Sequence, residues 1–366
     1  MHVGMSVIFQ NPGHTRPDRD VWREEMALAE RAEPLGFESV WSVEHHFTDY
    51  TMCPDPLQFL SYMAGRTKHA KLGTMVVVLP WRDPLRTAEQ ISMLDHISDG
   101  RLILGLGRGA GRVEFDGFRL DMGESRSRFV EAAQMVLNGL ESGHVEFEGQ
   151  HYRQPRVAIR PEPFQSFRGR TYAAAVSPES SRIMAELGIG LLVIPQKPWE
   201  HVAKEFAEYK ALYREVNGEP APKPVVAAWT IVDEDESRAY ERARHYIGGY
   251  WQTVLDHYEF HKDHLKGQKG YEYYGKFAEH LQQDEDGAIQ FFMDLQVYGT
   301  PEQCVQKITK IADRMGSDQF TGIFSMAGMP HDEARANMEL FAAKVMPALK
   351  ALPPAEERVP GAVAAE

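Results

Sequence analysis

Short runs rich in β-branched and other apolar residues alternate along the chain with longer stretches whose apolar positions recur at helical spacing. The first run, residues 3–9, is followed by a helical pattern over 21–35 that Gly36 closes. The second run, 38–44, is followed by a helical patch near 57–67. Residues 72–80 are apolar without interruption, the pattern of a strand covered on both faces. Further strands are expected at 101–107, 172–175, 191–195, 224–233 and 321–325. Helices are expected at 84–97, 125–140, 178–187, 199–216, 236 to about 264, 301–315 and 331–352.

Eight strands, each followed by at least one helix, imply parallel pairing through right-handed crossovers. At this count they predict a closed (β/α)8 TIM barrel. An open doubly wound sheet is the competing architecture, but no dinucleotide fingerprint opens the first unit. The barrel is expected to occupy residues 1–352 as one domain. Two stretches break its rhythm. Residues 142–154 alternate polar and apolar around Glu148 and Gly149, predicting a hairpin inserted before the fifth strand. Residues 262–286 are polar, with Gly267, Gly270 and Gly275 among charges and tyrosines, and predict a mobile lid. The tail, 353–366, is rich in Pro, Ala and Glu and is expected to be disordered.

Composition narrows the partners. A chain of 366 residues that is 43% apolar and 25% charged can bury roughly 75% of its surface without a disulfide or metal staple. Its two cysteines, Cys53 and Cys304, form no metal-binding spacing and are expected to be reduced thiols in a cytoplasmic protein. Forty basic against 53 acidic residues give a net charge of −13, which disfavours nucleic acid and anionic membranes. No basic leader opens the sequence, and no apolar run reaches the roughly 18 residues of a spanning helix.

In such a barrel the reactive groups gather where the strands end. The second run ends in Glu44-His45-His46-Phe47, and two adjacent histidines at a strand end make His45 a candidate acid or base. The alternative is a buried histidine held by Glu44. His257, His261 and His264 share one helical face at a spacing that would suit a metal. They border the lid segment, far in sequence from the other strand ends, and no metal is assigned. Residues 98–111 carry alternating glycines around Arg108, which suits either close approach of a flat or phosphate-bearing ligand or simple strand packing. Arg126 and the serine-rich turn 177–181, which opens a helix, complete a possible phosphate cradle; capping would equally explain the serines.

The strings VWSVEHHFTDY, LGTMVVVLP, DPLRTAEQISMLDHISDGRLILGLGRG, DGFRLDMGESRSR, YGTPEQC and KVMPALK together resemble the bacterial luciferase-like flavin monooxygenase family, in register from about Gly4 to Leu349. The resemblance implies a barrel that binds reduced FMN, whose reaction with dioxygen gives a flavin 4a-hydroperoxide that oxygenates a small organic substrate. By that likeness His45 is the active-site histidine, Arg108 and Arg126 contact the phosphate, and Ser177 and Ser180 belong to the phosphate turn. Trp251 is an aromatic near the flavin. Met75 and Val76 flank a non-prolyl cis peptide under the ring, and Ala110 and Val176 complete the cofactor set. Gly107 and Val176 depart from the luciferases, which carry a cysteine and a glutamate there, so light emission and a long-chain aldehyde are not implied. Since no nicotinamide fingerprint is present, a separate flavin reductase is expected as partner, and a homodimer or heterodimer as the assembly. A deazaflavin-dependent hydride-transfer enzyme and a non-catalytic flavin-binding subunit of a heterodimer are the alternatives.

Overall fold

The computed structural model describes residues 1–174, 178–259 and 285–358. Eight parallel strands close on themselves: β1 (His2–Val7), β2 (Ser39–Ser42), β3 (Lys71–Thr74), β4 (Leu102–Gly107), β5 (Thr171–Ala174), β6 (Gly190–Val193), β7 (Val225–Val232) and β8 (Gln319–Ile323). Each pairs with its neighbour in chain order, and β8 pairs with β1 in register from His2 opposite Gln319 to Ser6 opposite Ile323. The architecture is therefore the (β/α)8 TIM barrel that the alternation predicts.

Packing inside the barrel explains glycines whose role the sequence alone does not show. Trp41 on β2 is fully buried, and its Nε1 donates to Ser39 Oγ at 2.8 Å. A Cβ on Gly73 of the adjacent β3 would lie 2.1 Å from Trp41 Cε3, so only glycine leaves room for the indole.

The continuous strand expected over residues 72–80 is broken. The Thr74 hydroxyl donates to Gly105 O at 2.8 Å and accepts from Gly105 N at 2.7 Å. A side chain thus takes over the ladder hydrogen bonds, and the backbone is released to turn. The Met75-Val76 peptide bond is cis, and the chain returns to pairing only briefly at Val77–Val78 before a short 3₁₀ turn at Leu79–Trp81.

The predicted hairpin is present as His144–Glu148 against Arg153–Ala158. Its second arm runs further than the alternation indicates, because a strand reading RQPRVA carries little apolar signal. Glu131 pins the turn by accepting from the backbone of Gln150, His151 and Tyr152 at 2.8, 2.8 and 3.1 Å. Among the described α-helices and strands, three have no counterpart in the sequence reading: the short helix Arg112–Phe118, the helix Glu285–Leu295, and the strand Val297–Gly299 beside β7.

The helix expected to reach about residue 264 is described as Glu236–His257, and residues 262–284 of the expected lid lie outside the described residues. The expected disordered tail is ordered at its start. Ala355–Glu357 forms a 3₁₀ turn, and the Arg358 guanidinium reaches Asp313 at 3.1 Å, Asp318 at 2.7 Å and Ser317 O at 2.6 Å. Those bonds involve partners 40 or more residues away, which composition cannot show. Among the described residues no helix is long and apolar enough to cross a membrane.

Candidate functional site

Two adjoining cavities open at the C-terminal ends of the strands, where barrel sites form. The larger is about 550 Å³ and is walled by Met75 and Val76, which follow β3, and by Gly107 at the end of β4 with Arg108, Gly109 and Ala110 beyond it. Arg126, Ser180 and Ser181 close one end, the serines on the first turn of helix Pro178–Glu186, where backbone N–H groups and the helix dipole favour an anion. Arg126 is ion-paired to the exposed Glu179, and its Nε is buried without an acceptor among the described residues.

The smaller cavity, about 150 Å³, lies beside it and is lined by aromatic side chains, among them Tyr50, Trp229, Tyr250, Trp251 and Phe292. That volume is of the size that holds a single benzene-like ring. His45, Met75, Ala110, Ile194, Gln196 and Tyr258 line both cavities, so His45 stands at their junction.

Of the residues assigned from sequence, His45, Met75, Val76, Arg108, Ala110, Arg126 and Ser180 come together in the wall of the larger cavity. Trp251 does not. It stacks on Phe292 at 4.6 Å in the wall of the smaller one. Val176 and Ser177 lie outside the described residues. The alternating glycines serve packing at least in part: a Cβ on Gly107 would fall 2.2 Å from Val76 Cγ2.

His45 is held, but not by Glu44. Glu44 accepts from Val78 N at 2.9 Å and from Arg82 Nε at 2.9 Å, and it lies 3.2 Å from His46 Nε2. His45 Nδ1 instead meets Glu114 Oε1 at 2.9 Å, and the same oxygen accepts from His46 N at 3.0 Å. Glu114 comes from the short helix after β4 that the periodicity does not reveal. Nothing in the sequence around it marks a partner for a histidine 69 residues away.

The Glu114 side chain has no exposed surface, and burial alone would raise its pKa. The adjacent His45 and His257 outweigh that and hold it down at about 2, so it is a carboxylate at neutral pH. His257 sits on the far side of that carboxylate, its Nε2 3.5 Å from Glu114 Oε2. Burial depresses its own pKa, favouring the neutral ring. The sequence singles out His257, but with His261 and His264, which lie outside the described residues.

Ligand atoms of His45, Glu114 and His257 all lie within 4.8 Å of one another, close enough for a cation to be considered. Hydrogen bonding already occupies His45 Nδ1 and, through Thr48 Oγ1 at 3.0 Å, His257 Nδ1. Lys197, paired with Glu205 at 2.6 Å, also lines the larger cavity and has no signal in the sequence that would single it out.

The sequence model of the family described as luciferase-like monooxygenase matches residues 1–319. The chain is 27% identical over 340 residues to the alkanal monooxygenase alpha chain of Photorhabdus laumondii subsp. laumondii, covering 90% of this chain and 93% of that protein. It is 24% identical over 366 residues to the oxygenase component of the flavin-dependent trigonelline monooxygenase of Acinetobacter baylyi, covering 95% of each. The crystal structure of the monooxygenase RslO1 from Streptomyces bottropensis superposes with a TM-score of 0.81 at 27% identity, over 95% of this chain and 99% of that one.

Proposed function

Because the chain belongs to the luciferase-like monooxygenase family, we propose that it is an oxygenase that uses reduced FMN and dioxygen to oxygenate a small organic substrate, with the reduced flavin delivered by a separate reductase. The observation that carries this reading is the position of His45 at the junction of two cavities of different character. One is lined by arginines, serines and a helix N-terminus together with apolar side chains. The other is aromatic and sized for a small organic body.

The larger cavity fits FMN. Arg108, Arg126, Ser180 and Ser181 would hold the phosphate, and Met75, Val76, Ala110 and Ile194 would face the ring system. The chemistry supplied there by bound reduced flavin is the transfer of two electrons to dioxygen. The chain's own groups do the rest. Glu114 orients His45 by accepting from Nδ1, which leaves Nε2 as the nitrogen that gives or takes a proton at the junction. Tyr50, Trp229, Tyr250 and Trp251 exclude water from the substrate side, where hydrolysis and proton leakage would compete. The relative that is an oxygenase component supports a two-component arrangement, and the one that is an alpha chain supports work in a dimer.

Equilibrium titration of the purified chain with photoreduced FMN and with reduced coenzyme F420, both without oxygen, tests the cofactor. Tighter binding of reduced FMN is expected. Preference for F420 would make hydride transfer the reaction, and binding of FMN without turnover of any substrate in the presence of a reductase would make the chain a non-catalytic subunit.

A further inference from the structure

Glu114 is one buried carboxylate between two imidazoles, of which His257 is buried with it while His45 faces the cavities. Its Oε1 serves His45 Nδ1 and His46 N, while its Oε2 is buried and faces His257 Nε2 at 3.5 Å, both atoms being without another hydrogen-bond partner among the described residues. The ring of His257 is fixed from the remaining sides. Thr48 Oγ1 lies 3.0 Å from its Nδ1, and Tyr50 stacks on it at 4.4 Å with 17° between planes. Space is reserved for this arrangement, since a Cβ on Gly111 would fall 2.4 Å from Glu114 Oε2 and 2.9 Å from His257 Nε2.

We propose that His257 is a positioning residue that acts on His45 through Glu114. With the Thr48 hydroxyl donating to Nδ1, the neutral ring of His257 carries its proton on Nε2 and directs it at Glu114 Oε2. The carboxylate charge is then divided between two donors. His45, which would otherwise have the full carboxylate to itself, keeps its orientation but gives up its proton more readily. This inference rests on the reading of His45 as the proton-handling group, although the coupling itself is a property of the chain alone.

The other groups facing His45 do not duplicate this role. Tyr50 and Tyr258 present ring edges at 4.8 and 6.3 Å, and the Tyr50 hydroxyl is committed to the Tyr250 hydroxyl at 2.6 Å. Burial drives the Tyr50 pKa far up, so it adds no charge. The next charge outward, Glu259, is paired with Arg112 at 2.6 Å, and Glu44 is paired with Arg82 and His46. Lys197, which lines the larger cavity, is paired with Glu205.

The test follows the imidazole NMR signals of His45 through a pH titration of the full-length, cofactor-free protein, in the native chain and in His257→Leu and His257→Gln. Leucine removes the donor, and the proton affinity of His45 is expected to rise about tenfold, one unit of its titration midpoint. Glutamine, a neutral donor, is expected to restore most of the native midpoint. Thr48→Val is titrated in parallel, so that the answer survives if leucine unfolds the helix end. It frees His257 to move its proton to Nδ1 and is expected to shift His45 in the same direction by less.

An unmoved His45 midpoint in folded His257→Leu, or in Thr48→Val where the leucine variant does not fold, would overturn the proposal. So would equal shifts in the leucine and glutamine variants. One bound zinc or iron per chain in the purified native protein would also overturn it, since the three groups would then be ligands and not a relay. Because the readout uses no flavin, coupling seen in a protein that fails to bind FMN would retain this inference while removing the functional reading.

Discussion

Glu114 lies 2.9 Å from His45 although 69 residues separate them, whereas the adjacent Glu44 is turned away to Arg82 and His46. That pairing decides how the histidine at the mouth of the barrel is oriented, because it commits Nδ1 to the carboxylate and leaves Nε2 at the junction of the two cavities.

The pairing makes stability depend on acid. The folded-state pKa of Glu114, held at about 2 by its histidine neighbours, is below the 4.5 of an ordinary glutamate. Its stabilising contribution is therefore present above about pH 4.5 and lost as pH falls towards 2. Urea unfolding should show Glu114→Gln less stable than the native chain by about 3 kcal/mol at neutral pH. The difference should shrink across that acid window. A constant difference at all pH values would mean that the charge of Glu114 is not what matters.

His45→Ala should lower product formation about 10²–10⁴-fold, the usual contribution of a positioned acid or base. Reduced-flavin affinity should change little, because the arginines and serines are untouched. Rapid-quench product analysis alongside a binding titration separates the two. Unchanged turnover would remove His45 from the mechanism.

The phosphate end is tested by comparing FMN with riboflavin, which lacks the phosphate. Arg126→Ala should weaken FMN binding about 10–100-fold, the loss of one hydrogen bond to a charged group. Riboflavin affinity should hold nearly constant. An equal loss for both ligands would show that Arg126 supports the cavity in some other way.

Gly73→Ala should destabilise the barrel by about 1–3 kcal/mol or more, because the new methyl meets the fully buried Trp41 indole at 2.1 Å. The midpoint of urea unfolding reports it. An unaltered midpoint would mean that Trp41 can repack.

The barrel was legible because each of its eight strands carries an apolar run and each run is followed by a helical period. The signals are local. That His45 and Arg108 face the larger cavity was legible for a related reason, since each sits just beyond the end of a recognisable run, whereas Arg126 and Ser180, which also line it, stand in the first turns of helices and were singled out as a helix start and a serine-rich turn. What escaped was what depends on pairing across the chain. Glu114 stands in a seven-residue helix too short for a period to register. Val297–Gly299 is a three-residue strand that only its pairing with β7 defines. Arg358 sits in a stretch whose composition reads as unstructured, yet two aspartates far away in sequence hold it. His257 was visible as a histidine on a helix, but sequence could associate it only with its helical neighbours and not with the carboxylate it faces.

The account turns on what happens when the chain, loaded with photoreduced FMN in the absence of oxygen, is mixed rapidly with oxygenated buffer and the return of oxidised-flavin absorbance is followed. A protein that shelters the reacting flavin predicts reoxidation with a phase distinctly slower than that of free reduced FMN, and a further slowing or acceleration of that phase when a turned-over substrate is present. Reoxidation at the rate of free flavin, unaltered by the protein, would contradict it.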